Sequence, residues 1–335
     1  MKIGDFVLNS NVLLAPMAGI TDKPFRKLCR FFGAGLTTSE MITSNKALWH
    51  TKKTLLRSEH DLGEYPVSVQ IAGSNPQEMA LAAQINVEKG AQVIDINMGC
   101  PAKKVCNVLA GSALLKDEVL VQEILEAVVQ AVNVPVTLKT RLGWDDEHKN
   151  IITIAQIAEQ TGIKALTIHG RTRTQMYRGN AQYELIAQVK KQCNLPIIAN
   201  GDITDEHKAK FVFDTTNADA IMIGRAAQGA PWIFQEILSF LHTGALPEPI
   251  SVQYVIDVIL EHLQDIYSFY GEYSGCRIAR KHIAWYTKSL ESSNEFRQEV
   301  YQLDNTLTQF KFVEHFLKSH THTINKWPNT LSAHI

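Results

Sequence analysis

The sequence predicts an α/β protein: a (β/α)8 TIM barrel followed by a small C-terminal helical-bundle domain. Three observations carry that prediction. Short β-branched runs alternate with helix-like stretches, the signature of βαβ units and a parallel sheet. There are eight such runs, spread over roughly 240 residues, an ordinary length for this barrel. The strand signal then stops at a Pro- and Gly-containing linker, after which only helical periodicity remains.

The runs are Val12–Ala15, Leu36–Glu40, Val67–Ala72, Val93–Asn97, Pro135–Lys139, Ala165–His169, Pro196–Asn200 and Ala220–Gly224. Between them, Pro76–Lys89 ends ahead of Gly90 and Asn150–Gln160 ends at Thr161-Gly162, both helix stop signals. Lys116–Ala131 carries Val119, Leu120, Ile124, Leu125 and Val128 at helical spacing. The longest strand-to-helix gap, 100–116, follows the fourth run. A long loop there is the usual place for a mobile lid. The linker is Leu246-Pro247-Glu248-Pro249. Val255, Val258, Ile259, Leu263 and Ile266 then recur at helical spacing, and a second helix is expected from about Ile278. The expected division is a barrel over 1–243, a helical domain over 244–318, and a polar tail over 319–335 that is poorly ordered.

Composition narrows the class. With 45% hydrophobic and 20% charged residues, the chain is not a disordered polymer, a coiled coil or a collagen-like fibre. Its 33 basic and 34 acidic residues nearly cancel, so any nucleic-acid binding must use a local patch. No apolar run approaches the ~18 residues of a membrane span, and the start lacks a signal peptide's apolar core, so a cytoplasmic protein is expected. The five cysteines are odd in number and form no CxxC pair, which argues against a disulfide framework and a structural metal. Cys29, Cys193 and Cys276 read as inert thiols, and Cys106 is undecided. Cys100 stands apart, in Asn97-Met98-Gly99-Cys100-Pro101 at the end of an apolar run.

Side chains alternate faces along a strand. Where Val67, Val69 and Ile71 face the helices, Ser68 and Gln70 face the barrel interior. By the same parity the inward pairs are Asp95 and Asn97, Thr137 and Lys139, and Thr167 and His169, and Asn200 closes the seventh run. Gln70, Asn97, Lys139, His169 and Asn200 thus sit at carboxyl ends of strands, where this fold carries its active sites. The alternative is a polar layer satisfied by its own hydrogen bonds. Runs seven and eight end in Asn200-Gly201-Asp202 and Gly224-Arg225-Ala226, at loops that commonly bind phosphate in this fold. Ala15-Pro16-Met17-Ala18-Gly19 offers small residues against which a flat ring can lie. A phosphorylated, flat, redox-active ring fits these features. FMN fits better than a dinucleotide, since no GxGxxG follows a strand. Lys139 would then place a cation beside the ring.

Read in order, Ala15-Pro-Met-Ala-Gly-Ile-Thr-Asp22, Val69-Gln-Ile-Ala-Gly73, Asp95-Ile-Asn-Met-Gly-Cys-Pro-Ala-Lys-Lys104, Leu138-Lys-Thr-Arg141, His169-Gly-Arg-Thr-Arg173, Ala199-Asn-Gly-Asp202 and Ile223-Gly-Arg-Ala226 resemble the bacterial tRNA-dihydrouridine synthases. Ala-Gly-Ser at 110–112 and Arg277-Ile-Ala-Arg-Lys-His282 bring the resemblance nearest to the B-type enzymes, over about residues 1–315. It implies FMN in the barrel, NADPH as reductant and a D-loop uridine of tRNA as substrate. The C5–C6 double bond would be reduced to 5,6-dihydrouridine, with hydride from FMN N5 to C6 and a proton from Cys100 to C5.

Position by position, Pro16, Met17 and Ala18 match backbone contacts to the flavin, and Gln70, Lys139 and His169 match ring contacts. Asn200, Gly201 and Asp202, with Gly224 and Arg225, match ribityl and phosphate contacts. A proton-donating thiol should stay protonated near neutral pH, although Lys103, Lys104 and Arg141, expected nearby, could lower its pKa. The candidates for holding the flipped-out uracil are Asn97 and Arg141. The candidates for tRNA are Lys103 and Lys104 on the lid, Arg171 and Arg173 at the rim with Arg178 a weaker one, and Arg277, Arg280 and Lys281 beside His282, Trp285 and Tyr286.

Three rival readings stay open at this point. An FMN barrel oxidoreductase could act on a free pyrimidine or an enone, but such a substrate needs neither a helical domain nor rim arginines. A class I aldolase would use Lys139 for a Schiff base and would be colourless and trappable by borohydride. A tRNA-binding module without chemistry would be indifferent to Cys100. No metal is expected, and nothing demands more than a monomer.

Overall fold

The computed structural model describes residues 1–61, 63–321 and 324–328. Its central sheet has eight strands: β1 (Val12–Leu14), β2 (Ile42–Thr43), β3 (Ser68–Ala72), β4 (Val93–Met98), β5 (Val136–Arg141), β6 (Leu166–His169), β7 (Ile197–Asn200) and β8 (Ala220–Ile223). The order is β1-β8-β7-β6-β5-β4-β3-β2, and every pair is parallel. Two isolated bridges join the ends, Leu14 to Thr37 and Thr38 to Ser68. The ring is therefore closed, as the sequence predicts.

The second staff differs from expectation. Of the run Leu36–Glu40, only Thr37 and Thr38 bridge their neighbours, and β2 forms a little later, beside the upper end of β3. The backbone still pairs here, Leu14 N–H to the Leu36 carbonyl (2.9 Å) and Ser39 N–H to the Ser68 carbonyl (3.0 Å), and side chains add to it. The Gln70 N–H donates to Ser39 Oγ (3.2 Å), and Glu40 accepts from the Gly19 N–H and pairs with Arg57 at 2.8 Å.

The connecting helices are α1 (Lys23–Phe31), α2 (Pro76–Glu88), α3 (Glu118–Ala131), α4 (Ile151–Gln160), α5 (Tyr183–Gln192) and α6 (Glu206–Thr216). Asp22, Asn75, Asp117 and Asp205 each accept a backbone N–H three residues on. Each thereby satisfies a donor that the first helical turn leaves open.

The two ends of the barrel differ in chemistry. At the amino end, Leu13, Ala15, Leu36, Val93, Ala165, Ile198, Ala220 and Met222 form an apolar cluster joined by Ile3 and Leu8. Ile3 belongs to an antiparallel hairpin, Lys2–Ile3 against Phe6–Val7. Gly4 at the hairpin tip has φ +56°, and a Cβ there would lie 2.3 Å from Pro135 Cγ, just ahead of β5. The hairpin thus seals the amino end and leaves the carboxyl end as the mouth.

The chain divides into two compact units at Gly224–Arg225. The second holds a 3-10 turn, Arg225–Ala227, and helices α7 (Ile233–Thr243), α8 (Val252–Tyr270), α9 (Glu272–Thr287), α10 (Ser293–Val300) and α11 (Thr306–Ser319). Residues that follow β8 pack against α9. A Cβ on Gly229 would lie 2.6 Å from the Trp285 carbonyl oxygen, and Trp232 stacks on Tyr286. Helix α9 begins before the expected Ile278, because Gly271 at φ +75° ends α8 and Gly275 sits inside the next helix. A Cβ on Gly275 would lie 3.0 Å from Tyr267 Cα, so glycine there permits close helix packing rather than breaking a helix.

Within the expected loose tail, Trp327 is buried and donates its indole N–H to the Tyr286 carbonyl at 3.1 Å. Residues 322, 323 and 329–335 of that tail lie outside the described residues. Among the described residues no helix is long and apolar enough to cross a membrane.

Candidate active site

The inward parity read from the strands places one connected set of polar side chains at the mouth. Thr137 Oγ1 donates to Asp95 Oδ1 (2.6 Å) and Gln70 Nε2 donates to Asp95 Oδ2 (2.6 Å). Asn97 Nδ2 donates to Gln70 Oε1 (2.7 Å). On the other side of the ring, Lys139 Nζ (3.1 Å) and His169 Nδ1 (2.8 Å) both donate to Asn200 Oδ1, and Asn200 Nδ2 donates to the Met222 carbonyl (2.7 Å). Much of the layer is thus satisfied internally.

Open valences remain. His169 Nε2 is buried and has no hydrogen-bond partner among the described residues. Since Nδ1 donates, Nε2 is the lone-pair end of a neutral ring. Burial, reinforced by Arg141 and Lys139, holds the His169 pKa well below the ordinary 6.5. Among the described residues Lys139 makes one hydrogen bond, with three N–H donors available. Burial pushes the Lys139 ammonium toward neutrality and the Asp95 carboxyl upward, and each draws the other back toward its charged form. Asp95 is thus the carboxylate whose charge favours the Lys139 ammonium across the barrel interior.

Cys100 follows β4 and is held on both sides of its peptide. Asn97 Oδ1 accepts the N–H groups of Gly99 (3.1 Å) and Cys100 (3.0 Å). The Cys100 carbonyl accepts from Ser112 Oγ (2.9 Å) and from the Ser112 N–H (3.2 Å), and Cys106 Sγ lies 3.6 Å away. Gly111 has φ +63°, and a Cβ there would lie 2.8 Å from the Cys100 carbonyl oxygen, so only glycine lets the loop return this close. Arg141 Nε donates to the Gly99 carbonyl (2.8 Å), and its Nη1 reaches the carbonyls of Thr172 (3.0 Å) and Met176 (2.8 Å). Burial raises the Cys100 pKa, against smaller opposing pulls from the Ala102 N–H, Arg141 and Lys104.

Other candidates fall in varied places. Met17 N–H donates to Thr21 Oγ1 (3.0 Å) and Gly19 N–H to Glu40, and Pro16 has no N–H. Ala18 and Gly19 are the exposed part of this turn. Gly201 (φ +125°) and Asp202 (φ +50°) turn the chain sharply after β7. A Cβ on Gly201 would lie 2.9 Å from Ala181 Cβ. Gly224 lies beside Met17 Sδ and Ala15 Cβ, and Arg225 is exposed.

Arg171 is not at the rim as expected. It is 2% exposed, bridges both oxygens of Asp202 at 2.7 and 2.6 Å, and donates to the carbonyls of Arg178 and Gly179. Arg171 and Asp202 therefore tie the loops after β6 and β7 together, and their charges face each other. Arg173 stacks on Trp144 at 4.6 Å, with Lys116 over the same ring at 3.9 Å. Arg178 is exposed and donates to the Thr174 carbonyl at 3.2 Å. Lys103 and Lys104 are exposed on the short helix Lys103–Cys106.

In the second unit, Arg277 is exposed and bonded to Tyr273 OH (2.8 Å), and Lys281 is half-buried. Arg280 pairs with Asp304 (2.7 Å) and the Leu303 carbonyl. His282 and Tyr286 are buried and do not join the basic surface, while Trp285 packs edge-on to His282. Among the described residues, no group of three or more His, Cys, Asp or Glu is placed to hold a metal.

Compared with known protein families, residues 13–321 match the family described as Dihydrouridine synthase (Dus). The chain belongs to the dihydrouridine synthase family. It is 54% identical over 316 residues to tRNA-dihydrouridine synthase B of Pseudomonas aeruginosa, covering 94% of this chain and 95% of that one. The identity to the protein of the same name from Vibrio vulnificus is 54% over 315 residues (94% and 98% covered). For that from Xanthomonas axonopodis pv. citri it is 57% over 300 residues (90% and 90%).

Among solved structures, an old yellow enzyme homologue from Zymomonas mobilis superposes with TM-score 0.51 at 14% identity, covering 75% of this chain and 93% of that one. A 2-naphthoyl-CoA reductase complex gives 0.56 at 11% identity, covering 71% and 51%. At such identities the likeness is one of fold. In this dihydrouridine synthase, sequence reasoning missed the roles of Ser112, Glu40 and Gly111. Each acts through a loop that returns to the mouth, and parity along a strand carries no signal for that.

Proposed function

We propose that this chain reduces the C5–C6 double bond of a D-loop uridine in tRNA to 5,6-dihydrouridine, with FMN held in the barrel mouth and NADPH as reductant, in the cytoplasm. The observation that carries the reading is Cys100. Its peptide is gripped on both sides at the rim of a polar, part-satisfied layer, and burial keeps its thiol protonated.

The residues present fit a flavin. Lys139 has donors to spare for ring oxygens, and His169 Nε2 offers a buried acceptor to an N–H or O–H. Gln70 would share the ring edge, and the turn Pro16-Met17-Ala18 would lie against the ring face. Asn200, Gly201, Gly224 and Arg225 would meet the ribityl phosphate. Asp202 would act there through its hold on Arg171. When bound, the flavin supplies the hydride that adds at C6. Cys100 gives its proton to C5, quenching the charge left on the base. The resulting thiolate is tempered by Arg141 and Lys104 and takes a proton back from solvent. Asn97 acts mainly by holding the thiol loop, and Arg141 by fastening Gly99 with part of its guanidinium left for the base.

The target uracil must leave the tRNA stack to reach the mouth. Lys103, Lys104, Arg173, Arg178, Arg277, Arg280 and Lys281 are the cations assigned to the tRNA backbone, which suits a chain whose net charge is only −1. One observation favours a second reading. The lowered pKa of Lys139, about 8, also suits a Schiff-base lysine. That reading leaves Cys100 without a task and predicts a colourless protein trapped by borohydride.

The test is Cys100→Ala. Dihydrouridine formed per minute, mapped by mass spectrometry of the tRNA, is expected to fall by about 10²- to 10⁴-fold. tRNA affinity and flavin absorbance should be retained. Wild-type turnover in the variant, or a wild-type protein without flavin absorbance, overturns the reading.

A further inference from the structure

Asp95 has no part in the chemistry above, yet it is a buried carboxylate at the start of the hydrogen-bonded chain that ends at Cys100. We propose that Asp95 is a positioning residue whose carboxylate sets the direction of a relay of side-chain amides, and so fixes the backbone of Cys100 from the barrel interior. The inference deepens the site just described and rests on that reading only for its catalytic consequence.

A carboxylate only accepts, whereas a primary amide has one accepting and one donating end. Asp95 takes a donor from Thr137 and, on its second oxygen, Gln70 Nε2 at 2.6 Å. Gln70 must then turn Oε1 outward, where it receives Asn97 Nδ2 at 2.7 Å. Asn97 must in turn present Oδ1 to the N–H groups of Gly99 and Cys100, at 3.1 and 3.0 Å. Each step leaves the next no choice. Were the first amide reversed, Gln70 would offer a donor to Asn97, and Asn97 would face two backbone donors with its own NH2. All three side chains are buried, so water is poorly placed to repair the conflict.

The directionality can be reversed on purpose. Asp95→Asn replaces the obligate acceptor by a group that can satisfy Thr137 only by pointing its NH2 at Gln70. Asn97→Asp keeps an acceptor for Gly99 and Cys100 but sets two carboxylates on either side of Gln70. The double variant D95N/N97D satisfies every group with the relay running backward. The new carboxylate at 97 takes the two backbone donors and Gln70 Nε2, Gln70 Oε1 takes the new amide at 95, and that amide's oxygen takes Thr137.

The experiment is amide hydrogen exchange at Gly99 and Cys100 in the full-length protein as purified, for wild type, both single variants and the double variant. Each single variant is expected to exchange roughly tenfold faster at these two amides. The double variant should return to within about threefold of wild type. With tRNA, the single variants should lose kcat with little change in KM. If a single variant fails to fold, the fully satisfied double variant still decides the matter through its exchange. Unchanged exchange in both singles, or a double variant as fast as the faster single, overturns the proposal. A wild-type protein that does not reduce tRNA sinks the proposed function and leaves the exchange result standing. A wild-type protein that does, with exchange blind to the cycle, sinks the positioning role alone.

Discussion

Cys100 shows how a side chain's job is set by what surrounds its backbone. Burial raises its pKa above the ordinary 9.0, so its alkylation by iodoacetamide should be slow at pH 7 and climb only above pH 9. Arg141→Gln removes a cation that favours the thiolate and should slow alkylation further at pH 8. Ser112→Ala takes away the hydroxyl on the Cys100 carbonyl, a loss of about 1 kcal/mol in loop order. Its kcat should fall about fivefold while the tRNA dissociation constant stays put. At this scale the inward-facing residues were legible, because the period of a strand is fixed: Gln70, Asp95, Asn97, Lys139 and His169 all point where parity puts them. Arg171 was not legible in the same way. An arginine after a strand reads alike whether it meets solvent or, as here, the carboxylate of Asp202 on the neighbouring loop.

Among elements, the segment between β2 and β3 depends on one buried ion pair. Arg26 on α1 and Glu64 are 0% and 3% exposed. Arg26 Nε donates to Glu64 Oε2 at 2.6 Å, Nη1 reaches the Thr21 carbonyl, and Nη2 reaches the Glu59 carbonyl and Glu64 Oε1. Removing one partner strands a buried charge. Glu64→Gln is expected to cost about 3–5 kcal/mol and to lower the calorimetric midpoint by roughly 10 °C. A midpoint within 2 °C of wild type would contradict this, on the order of what a surface change gives. The helices after the third, fourth and fifth runs were readable from hydrophobic period and stop signals. The place of the second strand was not, because pairing narrows to Thr37 and Thr38 within the run and resumes at Ile42–Thr43, with Ser39 adding a side-chain bond to the Gln70 N–H. Nor was the start of α9, where Gly275 serves packing rather than a turn.

For the molecule as a whole, acid is the weak point. Burial depresses the pKa of His60 to about 4 and of His262 to about 3, and holds His169 and His282 well below 6.5. These rings stay neutral when folded and take up protons near pH 6.5 when unfolded. Their contribution is therefore full above pH 6.5 and drains away as pH falls toward the folded values. The slope is up to about 1.4 kcal/mol per pH unit for each ring. The melting temperature should be flat from pH 7 to 8 and fall steeply from 6.5 to 4, and His282→Gln should flatten that fall. The barrel and the helical region were visible in the sequence as a change of period. The burial of Trp327 was not, since a lone tryptophan in a polar tail has no period to betray it. One feature of the barrel reaches back to the ribosome. β1 pairs with β8, Val12 against Ile221, and the N-terminal hairpin seals a floor that includes Met222. Residues 3–14 therefore have no final home until the eighth stave has left the exit tunnel. At ~5–20 residues per second that is a wait of roughly 10–40 seconds with greasy staves uncovered, so this chain should lean on nascent-chain chaperones early in its life.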